Sequence, residues 1–452
     1  MNSIFLIIFS VFLSFGIFGQ KFTTSPFSSI GIGEFGSMEH PSFCGIGGAF
    51  TAAIDSINVN FYNPSSYSFL AQGQPLFSTG VSTRLSTYSE NGSSYKTGLS
   101  GVNHFVFGIP FARIFGIAFG VKPFARTGYS ISDREAVGAS DTMNYSYNGT
   151  GSFNEAFTGF SIKVLNLNSK KISNKLALGT NFGYVFGNNL NQKLSNLSTL
   201  NSGGIEETNL QVKSIYLDFG LNYQLTFNKT SRFIAGATYT PNQNLATTKN
   251  LGLYYALEVT DSRSIIDTIT SINEKGSISM PSMMSFGFSY IFRPNVDSTF
   301  NKVKIFQMTV FGSYTETNWS EYKTNFESDE QLTLLKSTKY SAGIEFIPHY
   351  NYFDRSKNIG YLSRIRYKVG AQYATLPLER LGKQLVDKSV NLGFSFPIVS
   401  QRSVSSLNLS FSAGNRGNGE ANSLNERFYG INFGISIAPG LNDRWFKKYK
   451  ID

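Results

Sequence analysis

The 452-residue sequence holds one cysteine, three histidines and two tryptophans, and only 15% of its residues are charged. The single cysteine, Cys44, excludes an intramolecular disulfide and with it the small stapled extracellular modules. His40, His104 and His349 are scattered and share no ligand spacing with Cys44, which argues against a metal centre. Neither a nucleophile-elbow serine motif nor a helical histidine pair is present, so the chain is expected to be no enzyme and to need no cofactor. After Phe18 no stretch approaches the ~18 uninterrupted apolar residues of a membrane-spanning helix, and the mean hydropathy is −0.12. A helical membrane protein is therefore excluded. An ordinary water-facing surface is also disfavoured, because soluble domains carry about 25% charge.

In place of charge there are aromatics, 15% of the chain, and 43 glycines against 13 prolines. The residues alternate. Tyr429, Ile431, Phe433, Ile435 and Ile437 share one face, and Gly430, Asn432, Gly434 and Ser436 the other. Val390, Leu392, Phe394 and Phe396 oppose Asn391, Gly393 and Ser395 in the same way, as do Ile215, Leu217, Phe219 and Leu221 with Tyr216, Asp218 and Gly220. A period of two is the signature of strands. An apolar face opposite a small polar one suits a membrane barrel around a wet lumen. Runs near 76–88, 96–110, 113–126, 152–165, 174–188, 209–227, 230–259, 282–293, 303–316, 337–348, 363–375, 386–398, 404–414 and 427–438 predict about fourteen strands, an even number as single-chain barrels require. The fold class is all-β, a transmembrane antiparallel barrel. The run 230–259 carries Pro241 and must kink there. The segments 127–151, 189–208, 260–281 and 317–336 read as long connectors between tight turns, and they are expected to face outward.

Four segments follow. Residues 1–19 contain the apolar run Ile4 to Phe18, too short to span comfortably and typical of a signal peptide. Residues 20–70 form a compact N-terminal piece, 71–438 the barrel, and 439–452 a basic tail around Arg444-Trp445-Phe446-Lys447-Lys448. The address is the outer membrane of a Gram-negative cell. The net charge of +10 is not organised as basic patches with stacking aromatics, so no nucleic acid is expected. Outer-membrane lipid headgroups and lipopolysaccharide phosphates are the expected anionic surroundings.

The N-terminal piece reads Phe43-Cys44-Gly45-Ile46-Gly47-Gly48-Ala49-Phe50-Thr51-Ala52-Ala53-Ile54-Asp55 and then Phe61-Tyr62-Asn63-Pro64-Ser65-Ser66. Ala49 to Ile54 is long enough for a turn or two of helix, and Asn63-Pro64 ends regular structure because proline lacks a donor and restricts its predecessor. Gly31-Ile32-Gly33-Glu34-Phe35-Gly36 matches a dinucleotide fingerprint literally, but it lacks the strand before and the helix after that such a site needs.

This stretch resembles the N-terminal hatch of the long-chain fatty-acid transporter (FadL) family, and the likeness runs weakly to the C-terminus. The resemblance implies a helical hatch inside the lumen and passage of a hydrophobic, fatty-acid-like small molecule past it. Phe43, Phe50, Phe61 and Tyr62 would then offer apolar contact, and Asn63 and Pro64 would set the bend that opens or closes the path. It also implies an alternative, since some barrels of this kind partner a type IX protein secretion translocon as plug or cargo handler. Charges fall on the polar faces of strands as well: Asp218, Glu345, Arg364, Arg366 and Lys368. If adjacent strands form a hairpin, Glu345 and Arg366 meet. They then either pair structurally, since burying a lone charge is costly, or guide the carboxylate of an amphipathic ligand.

Overall fold

The computed structural model describes residues 25–36, 40–111, 113–137, 141–168, 172–200, 202–227, 230–257, 264–294, 306–327, 331–353, 360–400 and 403–439. The expected signal peptide and nearly all of the basic tail lie outside the described residues.

Fourteen antiparallel strands close into a barrel. They are β1 Leu76–Glu90, β2 Ser93–Ile109, β3 Phe115–Val137, β4 Asp141–Asn168, β5 Ser173–Leu197, β6 Ser202–Thr226 and β7, made of Ser231–Thr240 and Gln243–Leu257. The second half comprises β8, made of Ser264–Met280 and Met283–Phe292, then β9 Gln307–Thr317, β10 Ser337–Ile347, β11 Arg366–Arg380, β12 Lys383–Val399, β13 Val404–Gly417 and β14 Asn425–Ile437. Closure comes from β14 on β1, where Phe433 lies opposite Val81 and Ile431 opposite Thr83. The expected kink at Pro241 is present as the break in β7, and Pro281 makes a matching break in β8. Proline cannot donate to the ladder, so both strands interrupt at the same level.

Burial is inverted relative to a water-soluble protein. Val81, Phe105, Phe119, Phe182, Phe288 and Ile431 are exposed on the outer face, while Ser78, Asn181, Asn222, Ser289, Asn391 and Ser436 are buried inside. Such an outer face is stable only against hydrocarbon, and a closed ladder leaves no unpaired edge there.

Three expectations change. Most of the described residues in the segments 127–151, 189–208 and 260–281 are not loop: β3 to β6 and β8 occupy 127–137, 141–151, 189–197, 202–208 and 264–280, and the strands β3 to β6 reach 23 to 28 residues. Polar alternation rich in Asn, Ser and Thr resembles loop composition, but a paired ladder satisfies the backbone all the same. The wall is consequently much taller on this side. The segment 317–336 does connect two strands, yet its middle folds back over the lumen. A 3-10 turn, Trp319–Glu321, leads to Lys323–Thr324, which pairs with Ile278 and Ser279 of β8. Tyr322, Phe326 and Leu334 are buried there with Phe124, Tyr216, Leu245 and Met280.

The third change concerns the lumen. Its small face is not kept small for water, because the N-terminal segment presses backbone to backbone against it. A methyl group on Gly179 would meet the backbone of Pro64, one on Gly236 that of Thr51, one on Gly343 that of Ile46 and one on Gly370 that of Gly47, each closer than 3.0 Å. Glycine is needed wherever two backbones approach this closely. The barrel glycines thus form a belt that seats the hatch.

Candidate functional site

The hatch is held by its own caps. His40 accepts the Ser42 amide at 3.1 Å and opens a single helical turn, Pro41–Cys44. Proline at the first helical position needs no donor. The helix expected over Ala49–Ile54 is absent. Gly47 and Gly48 take φ of +69° and +70°, which reverses the chain, and Asn60 then captures the carbonyls of Phe50 and Ala53 at 2.8 and 2.9 Å. Asn63 is more than a bend. Its side-chain oxygen accepts from Ser65, capping the 3-10 turn Pro64–Phe69, and its amide donates to the Thr51 carbonyl at 2.7 Å and the Leu221 carbonyl at 3.3 Å. Asn58 reaches the wall, where Ser406, Asn408 and Ser436 all donate to its side-chain oxygen.

Two cavities flank this septum. The chamber on one face has a volume of about 460 Å³. Its floor is Phe50, Phe61 and Tyr62, with Phe50 and Tyr62 stacked 4.2 Å apart. Its roof is the stretch from Phe27 to Gly36 together with Trp319 and Tyr322. The literal glycine fingerprint lies in this roof. It forms turns and a two-residue strand whose Glu34 and Phe35 pair with Arg126 and Ala125. Charges around the chamber are matched. Arg416 contacts Glu34, Asp387 at 3.0 Å and Glu426 at 3.6 Å, and Arg84 joins Glu426 at 2.9 Å. Lys122 stands 3.3 Å from Glu155, near the ring faces of Phe61 and Phe157. Asp218 borders the chamber and accepts from the Thr240 hydroxyl at 2.6 Å.

The opposite face opens to a vestibule of about 620 Å³. Beside the vestibule, against β8 to β11, lies a void of only about 40 Å³ bordered by Phe43, Ile46, Phe311 and Arg366. Phe43 is therefore not part of the chamber floor; it packs with Ile46, Ala49, Ala53 and Phe311. Arg366 contacts Glu345 at 3.2 Å and also the hatch carboxylate of Asp55 at 2.6 Å. Lys368 sits 3.5 Å from Glu345 and donates to the Ser42 carbonyl at 2.9 Å. The lumen charges thus tie hatch to wall. Burial alone would raise the Asp55 carboxyl, but Arg366 and then Lys368 outweigh it and hold the group below its usual range. Burial, then the charges of His104 and Lys368, push His40 well below its usual value and keep it neutral, stacked 4.5 Å from His104. Arg364 is displaced from its expected place. It ends the 3-10 turn Tyr361–Arg364 and lies outside β11, which begins at Arg366.

Reasoning on the sequence missed Asn58, Asn60, Glu34, Lys122 and Arg416. An asparagine-rich stretch beside Asn-Pro was the available signal for the first two. The partners of the others lie tens to hundreds of residues away, and no local pattern marks them.

A family model described as BamG matches residues 1–452. The Pseudomonas putida toluene transporter TodX aligns at 13% identity over 93% of this chain and 99% of its own, with a TM-score of 0.51. The Ralstonia pickettii toluene transporter TbuX aligns at 13% identity over 88% of this chain and 98% of its own, with a TM-score of 0.50. No curated protein matches the sequence. The likeness to the two transporters is one of fold: a FadL-like barrel.

Proposed function

We propose that this chain, which belongs to the BamG family, is an outer-membrane channel for hydrophobic small molecules that pass its lumen by displacement of the N-terminal hatch. The observation that carries the reading is the chamber. It falls in the ~300–1,000 Å³ range of small-molecule sites and is floored by hatch aromatics. The chamber has no described opening through the hatch, so a ligand would reach the opposite side only once the hatch shifts. The ligand class extends from monoaromatics, as in the two transporters of similar fold, to fatty-acid-like chains. Arg366 and Lys368 already have carboxylate or hydroxyl partners, which favours a holding role for them over guidance of a ligand head.

Trp319 borders the chamber and reports on it. A brominated fatty acid or a brominated benzene should quench Trp319 saturably in a Trp445→Phe background, with toluene competing. Linear quenching that toluene does not reduce would refute binding in the chamber.

A second reading rests on a different observation. The hatch is seated by backbone contacts at Gly179, Gly236, Gly343 and Gly370, which favours a permanently filled barrel serving as partner of a secretion-system protein. Cross-linking Thr51 to Ser285 through paired cysteines separates the two, since these side chains already touch. Such a lock would abolish transport of a hydrophobic probe but leave a scaffold role intact.

A further inference from the structure

The vestibule has a charge imbalance that nothing in the transport reading uses. Arg113, Lys163, Lys175, Arg232, Arg293 and Arg366 all border it. Among the described residues the only carboxylate on its lining is Asp55, and Arg366 already holds that group. No described carboxylate pairs with the other five cations. Lys163 donates to the Arg113 carbonyl at 3.2 Å and lies over the Phe69 ring, and Arg293 donates to Gln307 at 2.8 Å and lies over Tyr350. The Nε of Arg232 is buried without a partner. Like charges gathered in a concave, low-dielectric mouth raise the local concentration of anions, and a natural barrel gains nothing in stability from the arrangement.

The layout selects the kind of anion. Lys163 is on β4, Lys175 on β5 and Arg232 on β7, and Arg293 follows directly on β8. Register keeps the middle two at one level, with Lys175 opposite Gln224 and Arg232 opposite Thr226, two residues further along β6. From β4 to β8 is four strand spacings of about 4.8 Å, an arc of roughly 19 Å. A single phosphate or carboxylate cannot bridge it. An extended chain rising about 3.3 Å per residue covers it with some six residues.

We infer that the vestibule beneath the hatch is a docking site for an acidic peptide segment of about six extended residues, a role that goes beyond passage of a hydrophobic ligand. Backbone amides of the peptide would meet Gln224, Gln307 and Asn166, and its carboxylates the unpaired cations.

The test uses fluorescein-labelled hexaglutamate and the full chain folded in detergent, read by anisotropy. Saturable binding is expected, lost at about 1 M salt where the screening length is about 3 Å. The double variant Lys175→Gln/Arg232→Gln should bind about tenfold more weakly, the effect of losing two charge-assisted contacts. The control Lys96→Gln/Lys213→Gln, which alters exposed cations away from the vestibule, should bind as the parent does. The Lys175→Gln/Arg232→Gln barrel should also melt no lower than the parent, because it sheds repulsion. No saturable binding, equal weakening in both double variants, or a markedly lower melting point would overturn the proposal. Displacement of the peptide by inorganic phosphate or phosphatidylglycerol at equal charge would overturn the peptide as occupant.

Discussion

The chamber and the vestibule lie on opposite faces of the same hatch, yet they hold charge in opposite ways. Around the chamber Arg416 gathers Glu34, Asp387 and Glu426, and Lys122 answers Glu155. Around the vestibule five cations share a mouth in which the one described carboxylate is already taken by Arg366. The first is a closed network, whose loss exposes unpaired charge. The second is an open one, whose loss relieves it. Identical residue types therefore carry opposite expectations on the two sides.

The largest effect is expected at Arg416. Replacing it with Ala leaves buried carboxylates of Glu34, Asp387 and Glu426 without their shared partner, at about 3–5 kcal/mol. Denaturant midpoints of the refolded barrel would register the loss, and an unchanged midpoint would dissolve the contrast between the two faces. Next comes the septum. Gly370→Val would drive a branched side chain into the backbone of Ile46 and Gly47, which cannot step aside. A cost of roughly 1–3 kcal/mol is expected from such overpacking, and with it an ion leak in planar bilayers as chamber and vestibule merge. Asn63→Ala should cost a comparable amount of stability: it removes the cap on Ser65 and the bonds to Thr51 and Leu221, at about 1–3 kcal/mol. Its barrel should still migrate as a heat-resistant band on gels while leaking ions. A silent bilayer would mean that Asn63 does not hold the septum shut. The smallest effect belongs to the vestibule, where Arg232→Gln should leave the melting temperature unchanged or slightly raised. A clear drop would place Arg232 in a paired network like that of Arg416.

Much of the barrel was legible because period-two alternation is local. Each pair such as Ile431 and Asn432 declares its two faces without knowledge of its neighbours, and Pro241 declares a break because it lacks a donor. The three segments misread as loops failed for the converse reason. Asn-, Ser- and Thr-rich hairpins such as 189–208 have the composition of loops, and only pairing with the next strand reveals them as wall. In the hatch, Asn63-Pro64 reads from the sequence only as a bend. Its capping role depends on Ser65, Thr51 and Leu221 arriving together.

By itself, then, the sequence determined a closed apolar-outside barrel of about fourteen strands and a compact N-terminal piece, since both follow from local periodicity and turn chemistry. The tertiary structure alone decided that the lumen glycines seat a hatch, that Asp55 and Glu345 converge on Arg366, and that one cavity is neutralised while the other is left basic. Those facts depend on residues up to several hundred positions apart meeting across a lumen. No local pattern encodes the distance between them, because closure of the ring sets it.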